Sequence, residues 1–213
     1  MAELILASGS PRRKELLAGL GLDFAVIPST VTEPTYDGSD PAAYAKELAK
    51  AKALAVARQF HSGLVIGADT IVVLDGKVLG KPESAAQAVD MLSRLSGRSH
   101  MVYTGLAVID AATGRLEQDV VGTEVQFRPL TATEIALYVR SGEPLDKAGA
   151  YGIQGLGAVF IQCIKGCYFN VVGLPLSALD QLLKRFDFAI LQRRDHDQRI
   201  KQSEDITFGR ETT

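Results

Sequence analysis

The chain has 213 residues, of which 46% are hydrophobic and 23% are charged, and its formal net charge is −2. This length suits one generous domain or two small lobes that share a sheet, and the charge gives no overall attraction to nucleic acid or to an anionic membrane. No apolar run approaches the roughly 18 residues that span a bilayer, and the charges of MAELILASGSPRR follow its apolar stretch, unlike those of a secretory signal. We therefore expect a cytoplasmic protein without a nucleic-acid or membrane partner, in which any anion site is local.

Hydrophobic periodicity and turn residues predict strands alternating with helices early in the chain and hairpins in its middle. The first predicted elements in chain order are a strand over 3–8, a helix over 11–20, a strand over 24–27 and a helix over 41–60. The stretch LVIGADTIVVLDGKVLGKP predicts a buried strand and a second strand with a turn at Asp75-Gly76, and a helix over 83–96 follows. The remaining predicted elements are two long antiparallel strands joined near Thr113-Gly114, a helix with a capping box at Thr131 and Glu134, a hairpin turning at Lys165-Gly166, and a helix over 175–186. This mixture favours an α/β fold with a mixed sheet, followed by a charged tail over 191–213.

The two cysteines lie close together, in FIQCIKGCYFNVV. A hairpin turning at Lys165-Gly166 would place Cys163 and Cys167 on opposite faces of the sheet, which disfavours a disulfide between them. Two thiols alone do not complete a structural zinc site. We expect both to be core or strand-surface residues.

The first predicted helix begins with an unusual concentration of positive charge. Ser10 is a good N-cap residue, but Arg12, Arg13 and Lys14 crowd the first turn, where the helix already carries a partial positive charge. An oligophosphate would resolve this conflict, since free N–H groups, the helix dipole, the cations and the hydroxyl of Ser8 all favour the same ligand. The alternative is that the cations turn into solvent or pair with nearby acids.

Asp69 stands inside the apolar run LVIGADTIVV. A carboxylate in such a run is costly unless it is paired, bound to a metal or protonated. At the end of a strand it would project into a cleft, as a metal ligand or as a general base for water; the alternative is a structural aspartate that caps a turn. Thr70 beside it is either a substrate contact or simply a good strand former.

Other polar residues give weaker signals. Gly80 and Pro82 flank Lys81 and restrict its backbone, while Lys52 lies in a lysine-rich helix whose charges a solvated face also explains. The segment SGEPLDKAGAYGIQGLGAVF, which contains Gln154, is too rich in glycine for a helix. Such segments often line ligand sites, although a tight connection between packed elements has the same composition.

Taken together, several stretches resemble the Maf family of nucleoside triphosphate pyrophosphatases. They are LASGSPRRKELL, IGADTIVV, LGKP, LSGRSHMVYTG and EPLDKAGAYGIQGLGAVF followed by GCYFNVVGLPL, and the likeness runs from about Leu4 to Leu183. It implies an elongated mixed sheet flanked by helices, with two lobes and a central cleft as in inosine triphosphatases, in a domain over 1–190. It also implies hydrolysis of a nucleoside triphosphate to the monophosphate and pyrophosphate, a divalent metal cation (Mg²⁺, with Mn²⁺ as the alternative), and a homodimer.

The resemblance assigns roles to individual residues. Asp69 matches the presumed proton acceptor, and Asp69 and Glu33 are the expected metal ligands. The phosphate-binding motif covers Ser8, Arg12, Arg13 and Lys14, the further polar positions of the cleft are Glu33, Lys52 and Lys81, and the positions associated with substrate choice are Arg12, Thr70 and Gln154. The loop Val31-Thr32-Glu33 departs from the family pattern because it lacks a second acidic residue.

The form DKAGAYGIQG resembles the branch of the family that acts on dTTP and UTP, whereas the branch associated with 7-methyl-GTP has a different segment there. Two alternatives stay open. The same chemistry could act on a purine or modified nucleotide, or the protein could be a non-catalytic nucleotide sensor that regulates septum formation. A sensor would need the cations but not Asp69.

Overall fold

A computed structural model of the chain describes residues 4–193. Its strands are β1 (Leu4–Leu6), β2 (Phe24–Val26), β3 (Leu64–Leu74), β4 (Lys77–Leu79), β5 (Ser99–Asp110), β6 (Leu116–Phe127) and β7 (Ile161–Lys165). Its α-helices are α1 (Pro11–Ala18), α2 (Pro41–Ala57), α3 (Ala85–Leu95), α4 (Ala132–Arg140), α5 (Tyr168–Val172) and α6 (Leu176–Lys184), with 3₁₀ turns at Glu143–Asp146, Ala148–Ala150 and Gly155–Phe160. From residue 194 onward the predicted tail lies outside the described residues.

The strands form one mixed sheet in the order β2-β1-β3-β5-β6-β7, with β4 also paired to β3. β1 runs parallel to β2 and β3, whereas the other pairs are antiparallel. The expected α/β fold with a mixed sheet flanked by helices is therefore confirmed. No helix among residues 4–193 combines the length and the apolar character needed to cross a membrane.

One edge of β3 is shared by two short strands that do not meet. β1 pairs with β3 over 64–66, and β4 pairs with it over 72–74. Between them, the stretch 67–71 has no strand partner on this edge among the described residues, while β5 pairs along the opposite edge. This interruption divides the sheet into a β1–β2 side and a β4 side, and it leaves an opening at the edge of β3 between them.

Close packing of α2 on the sheet positions the residues around this opening. A Cβ atom at Gly67 would lie 2.3 Å from the Ala49 carbonyl oxygen, and one at Gly105 would lie 2.2 Å from the Ala45 carbonyl oxygen. Only glycine on the strands lets the helix backbone approach this closely. The alanines of α2 bury the same face, and the helix can therefore bring its longer side chains onto the edge of β3.

The core is divided in the same way. On the face of the sheet opposite α2, Leu6, Ile66 and Leu106 pack with α6, whereas Val72, Val102 and Phe127 pack with α3 and α4. The two clusters lie on the two sides of the interruption in β3, as expected for two lobes that share a sheet.

Several local predictions are confirmed. The Asp75-Gly76 turn joins β3 to β4 with positive φ at both residues, 51° and 72°, as in a type I′ turn. At the start of α4 the Thr131 hydroxyl accepts from the Glu134 N–H, and the Glu134 carboxylate accepts from the Thr131 N–H. Ser10 occupies the N-cap position of α1 but its side chain makes no capping hydrogen bond.

The predicted hairpin at Lys165-Gly166 is wrong. β7 ends at Lys165, and the chain turns at Gly166 into α5, with Cys167 as its N-cap. The reason is the buried Asn170, whose side-chain amide donates to the Val102 carbonyl oxygen (3.0 Å) and to Thr123 Oγ1 (2.9 Å). These bonds hold the segment on the face of the sheet instead of at its edge. Both cysteines are free thiols.

Candidate active site

The opening beside β3 leads into a cavity of about 680 Å³. The cavity is bordered by the first turn of α1, the middle of β3, the loop after β4, and the glycine-rich segment that follows α4. The predicted site residues in its wall are Ser8, Arg12, Arg13, Glu33, Lys52, Asp69, Thr70, Lys81 and Gln154. Residues more than 140 positions apart in the chain thus meet in one cleft.

Arg13 is the most constrained cation of this cleft. Its guanidinium donates from Nε to the Gly173 carbonyl oxygen (2.8 Å), from Nη1 to Ser8 Oγ (3.2 Å) and from Nη2 to Thr70 Oγ1 (3.0 Å). Burial lowers the pKa of Arg13, and the negative charge of Asp69 opposes that shift. Since a guanidinium stays protonated at any working pH, Arg13 brings a permanent positive charge to the base of the cleft.

A chain of hydroxyl groups supports Arg13 from behind. Thr70 Oγ1 lies 2.9 Å from Thr104 Oγ1, and Thr104 in turn donates to the Asn170 carbonyl oxygen (2.9 Å). Thr104 and Asn170 are fully buried. The orientation of Arg13 is therefore determined by β3, β5 and α5 together.

Two carboxylates share one ammonium at the α2 side of the cleft. Lys52 Nζ donates to Glu33 Oε1 (2.6 Å) and to Asp69 Oδ1. The side chain of Asp69 is 9% exposed and that of Lys52 16%, whereas that of Glu33 is 54% exposed. The Asp69 carboxylate is paired with the Lys52 ammonium, as a charge within an apolar run requires. Asp69 therefore does not act as the turn cap that was the alternative. The prediction that Asp69 lies at the end of a strand is wrong. Asp69 lies in the middle of β3, at the part of its edge that has no strand partner among the described residues.

A third acidic residue, Asp146, faces cations on the far side of the cleft. Its Oδ2 lies 3.7 Å from Arg12 Nη1, and its Oδ1 accepts from Lys147 Nζ at 2.7 Å. Partial burial acts to raise the pKa of Asp146, but Lys147 and then Arg12 outweigh it, so that the pKa lies below its usual value. Asp146 and Lys147 belong to the wall of the cleft and were not assigned roles from the sequence, although the DK pair in the glycine-rich segment marks them.

A family model described as "Maf-like protein" matches residues 3–186. The chain belongs to the Maf family. It is 55% identical over 186 residues to a protein of Moorella thermoacetica (87% of this chain, 96% of the relative), and 53% identical over 191 residues to one of Desulforamulus reducens (90% and 100%). A protein of Halalkalibacterium halodurans is 50% identical over 189 residues (89% and 98%). Each of these three relatives bears the name dTTP/UTP pyrophosphatase.

Not every residue predicted from the Maf resemblance reaches the cleft. Lys14 is exposed and is absent from the cavity wall. It follows Arg12 by two positions, about 200° around the helix, so the two side chains leave α1 in nearly opposite directions. Ser8 is buried, and its hydroxyl accepts from the Ser10 N–H (3.2 Å) as well as from Arg13.

The carboxylates of this Maf cleft suit a hard divalent cation. Within residues 4–193 there is no group of three or more His, Cys, Asp or Glu side chains that could hold a metal ion by itself. Mg²⁺ is commonly bound by one or two carboxylates together with substrate phosphates. Asp69 and Glu33 meet that requirement, because both carboxylates converge on one positive charge, the Lys52 ammonium.

The glycine-rich segment of the Maf cleft is held by buried aromatic residues. Tyr151 borders the cavity, and its hydroxyl lies 2.7 Å from His100 Nε2. The rings of His100, Phe127 and Tyr151 pack edge to face in a mutual cluster. Burial lowers the pKa of His100 from 6.5 to about 4, which keeps the imidazole neutral above that pH. None of these three residues was predicted as part of the site.

Proposed function

We propose that this chain hydrolyses dTTP and UTP to the nucleoside monophosphate and pyrophosphate. The observation that carries the proposal is that Asp69, which is bonded to Lys52 at the open edge of β3, shares one cleft with several other cations. Three relatives that are 50–55% identical and named dTTP/UTP pyrophosphatase support the same substrates.

The triphosphate would be received at the start of α1. Arg12, Arg13 and Lys81 border one cavity, and the free N–H groups of the first helical turn add a partial positive charge. A pyrophosphate leaving group gains negative charge as its bond to the α-phosphorus breaks. Fixed positive groups near that position stabilise the transition state more than the ground state.

Asp69 would act as the general base. Water attacks the α-phosphorus, the new P–O bond forms as the bond to the β-phosphate oxygen breaks, and the water proton passes to the Asp69 carboxylate. Lys52 contacts both Asp69 and Glu33 and so holds the Asp69 carboxylate in place. The low exposure of Asp69 limits competing solvent, which strengthens its interaction with the attacking water.

We infer that Asp69 and Glu33 also hold a divalent cation, Mg²⁺ or Mn²⁺. Such an ion would neutralise charge on the phosphate oxygens and lower the energy of the developing negative charge. Glu33 is the more exposed of the two carboxylates, so it can reorient from Lys52 toward an incoming ion without leaving a buried charge unpaired.

Recognition of the base would fall to the glycine-rich segment. Gln154 borders the cavity and is half-buried, and no hydrogen bond joins its amide to another residue of the range 4–193. An amide both donates and accepts, as the edge of a uracil or thymine ring requires. Ile153 beside it and Leu79, which also borders the cavity, supply apolar wall for the ring.

The test is pyrophosphate release from a panel of pyrimidine, purine and 7-methylguanine nucleoside triphosphates with Mg²⁺. We expect turnover of dTTP and UTP by the native chain and a loss of about 10³-fold or more for Asp69→Asn, with nucleotide binding retained. The matched control is Asp75→Asn, which changes an exposed aspartate paired with Arg98 on the turn after the same strand. Asp75→Asn should leave turnover unchanged.

Other outcomes point elsewhere. Turnover of a purine or 7-methylguanine nucleotide would keep the mechanism and replace the substrates. Binding without turnover, unaltered by Asp69→Asn, would contradict the enzyme and favour a nucleotide sensor that regulates septum formation.

A further inference from the structure

Glu143 lies outside the cleft but accepts hydrogen bonds from the backbone of the glycine-rich segment that lines the cleft. Its Oε1 accepts from the Tyr138 hydroxyl (2.9 Å) and from the Gly157 N–H (3.1 Å), and its Oε2 accepts from the Leu156 N–H (2.9 Å). The Tyr138 hydroxyl accepts in turn from the Gly152 N–H (3.3 Å). One carboxylate and one phenol thus hold both ends of the stretch 152–157.

The loop is wrapped tightly around these two side chains. A Cβ atom at Gly155 would lie 2.8 Å from Glu143 Oε2, and one at Gly157 would lie 2.7 Å from the Tyr138 hydroxyl oxygen. Gly155 also has a φ of 75°, which L side chains rarely adopt. Gly155 and Gly157 therefore serve the approach of the backbone to Glu143 and Tyr138, which explains part of a composition that the sequence alone left ambiguous.

Gln154 stands between the two attachment points. It follows Gly152, which is bonded to Tyr138, and precedes Leu156, which is bonded to Glu143. Neither Glu143 nor Tyr138 belongs to the wall of the cavity, whereas Gln154 does. The hydrogen bonds of the Glu143 carboxylate therefore reach the wall of the cavity through the loop.

We propose that Glu143, together with Tyr138, is a positioning residue for nucleotide selection, which holds Gln154 in the place where it meets the base. The assignment rests on the proposed function, since it assumes that Gln154 reads a pyrimidine. It separates two properties of the site: the cations at α1 set the affinity for phosphate, and the Glu143 attachment sets the discrimination between bases.

The carboxylate suits this role electrostatically. Burial acts to raise the pKa of Glu143, but the hydrogen bonds from Leu156, Gly157 and Tyr138 outweigh it, and the pKa lies below its usual value. Glu143 therefore remains an acceptor for all three donors at neutral pH. A glutamine there keeps one acceptor oxygen but turns an amide N–H₂ toward a backbone N–H, so that one of the three bonds is replaced by a contact between two donors.

The experiment compares Glu143→Ala and Glu143→Gln with the native chain. For each, kcat and KM are measured for dTTP, UTP, dCTP and CTP, together with the inhibition constant of inorganic tripolyphosphate, which has no base. We expect Glu143→Ala to raise KM for dTTP and UTP about tenfold and to lower their preference over dCTP and CTP by a similar factor, with the tripolyphosphate constant within about twofold of native. For Glu143→Gln, the KM values and the preference between nucleotides should lie between those of the native chain and those of Glu143→Ala.

The matched control is Glu134→Ala, which removes a carboxylate from the other end of α4. Glu134 caps the helix and pairs with Arg128, and its hydrogen bonds join it to Thr131 and Arg128 and not to the loop. It should lower thermal stability but leave the preference between nucleotides unchanged. Hydrogen exchange of the amides over 152–157 supplies a readout that does not depend on turnover, and it should accelerate in Glu143→Ala only.

The outcomes separate this assignment from the proposed function. Unchanged exchange, or a Glu143→Ala variant that keeps the native preference between bases, would overturn the positioning role while the native enzyme still turns over dTTP and UTP. An equal loss of affinity for tripolyphosphate and nucleotides would also overturn it, since the effect would then not be selective for the base. A native chain that hydrolyses no nucleoside triphosphate would refute the proposed function and with it the role in selection.

Discussion

Arg13 Nη2 donates to Thr70 Oγ1 at 3.0 Å, and this bond joins the first helix to the open edge of β3. Thr70 also contacts Thr104, so its hydroxyl stands between a permanent cation and a buried polar chain. Thr70 therefore supports Arg13 from within the wall of the cleft, in addition to the substrate-choice position that the Maf resemblance gives it.

Thr70→Val keeps the shape of the side chain but removes the hydroxyl. We expect kcat/KM for dTTP to fall about tenfold and the free energy of unfolding to fall by about 1–2 kcal/mol, because Arg13 and Thr104 lose a shared partner. Steady-state kinetics and urea unfolding measure the two quantities. Thr70→Ser retains the hydroxyl and is the control; if it were as impaired as Thr70→Val, loss of the hydrogen bond alone would not explain the effect.

Removal of the metal tests the two carboxylates around Lys52. We expect EDTA to abolish turnover, and Glu33→Gln to raise the Mg²⁺ concentration for half-maximal activity about tenfold, since one of two proposed ligands loses its charge. Mg²⁺ titration of the initial rate gives this value. The matched control is Glu47→Gln. It also removes a carboxylate bonded to a lysine of α2, but this lysine is Lys50 and the pair is exposed. An unchanged titration curve for Glu33→Gln would exclude Glu33 as a ligand.

His100 makes stability depend on pH. Because its pKa falls from 6.5 to about 4 on folding, the unfolded chain binds more protons between these values, and stability decreases as the pH falls through this interval. The contribution lost between pH 7 and pH 4 is on the order of 3 kcal/mol. Urea unfolding at a series of pH values should show a weaker pH dependence for His100→Gln than for the native chain. His61→Gln changes an exposed histidine and should retain the native profile.

Gly105→Ala tests the close approach of α2 to the sheet. The added methyl group would lie 2.2 Å from the Ala45 carbonyl oxygen, so the helix must move outward. We expect a loss of about 3 kcal/mol in the free energy of unfolding and reduced turnover, since Lys52 moves with α2. In Gly19→Ala the methyl group has ordinary clearance, 3.4 Å from the Glu15 carbonyl oxygen, and the free energy of unfolding should change by less than about 1 kcal/mol. Equal stability of the two variants would contradict the packing argument.

Local signals predicted most of the fold. Periodicity, the Asp75-Gly76 turn and the capping box at Thr131 depend on neighbouring residues, and those elements appear where expected. The hairpin at Lys165-Gly166 failed because a distant contact decides it. The amide of Asn170 finds its partners on β5 and β6, and no pattern near residue 170 encodes them.

The same difference between local signals and distant contacts applies to the site. The cations of α1 and the carboxylate of Asp69 stand out because each conflicts with its local surroundings, and the structure brings both into one cleft. Glu143, Tyr138 and His100 were missed because a glutamate near a helix end, a tyrosine in a helix and a histidine in a strand conflict with nothing nearby. Their roles exist only through partners up to 51 positions away.

The bond from Arg13 Nε to the Gly173 carbonyl oxygen joins residues 160 positions apart. A ribosome therefore exposes the cation-bearing helix long before it exposes the acceptor that orients Arg13. Until that carbonyl has left the exit tunnel, Arg13 lacks one of the three acceptors that orient it, and the cleft is incomplete. Catalytic competence is thus among the last properties acquired during synthesis.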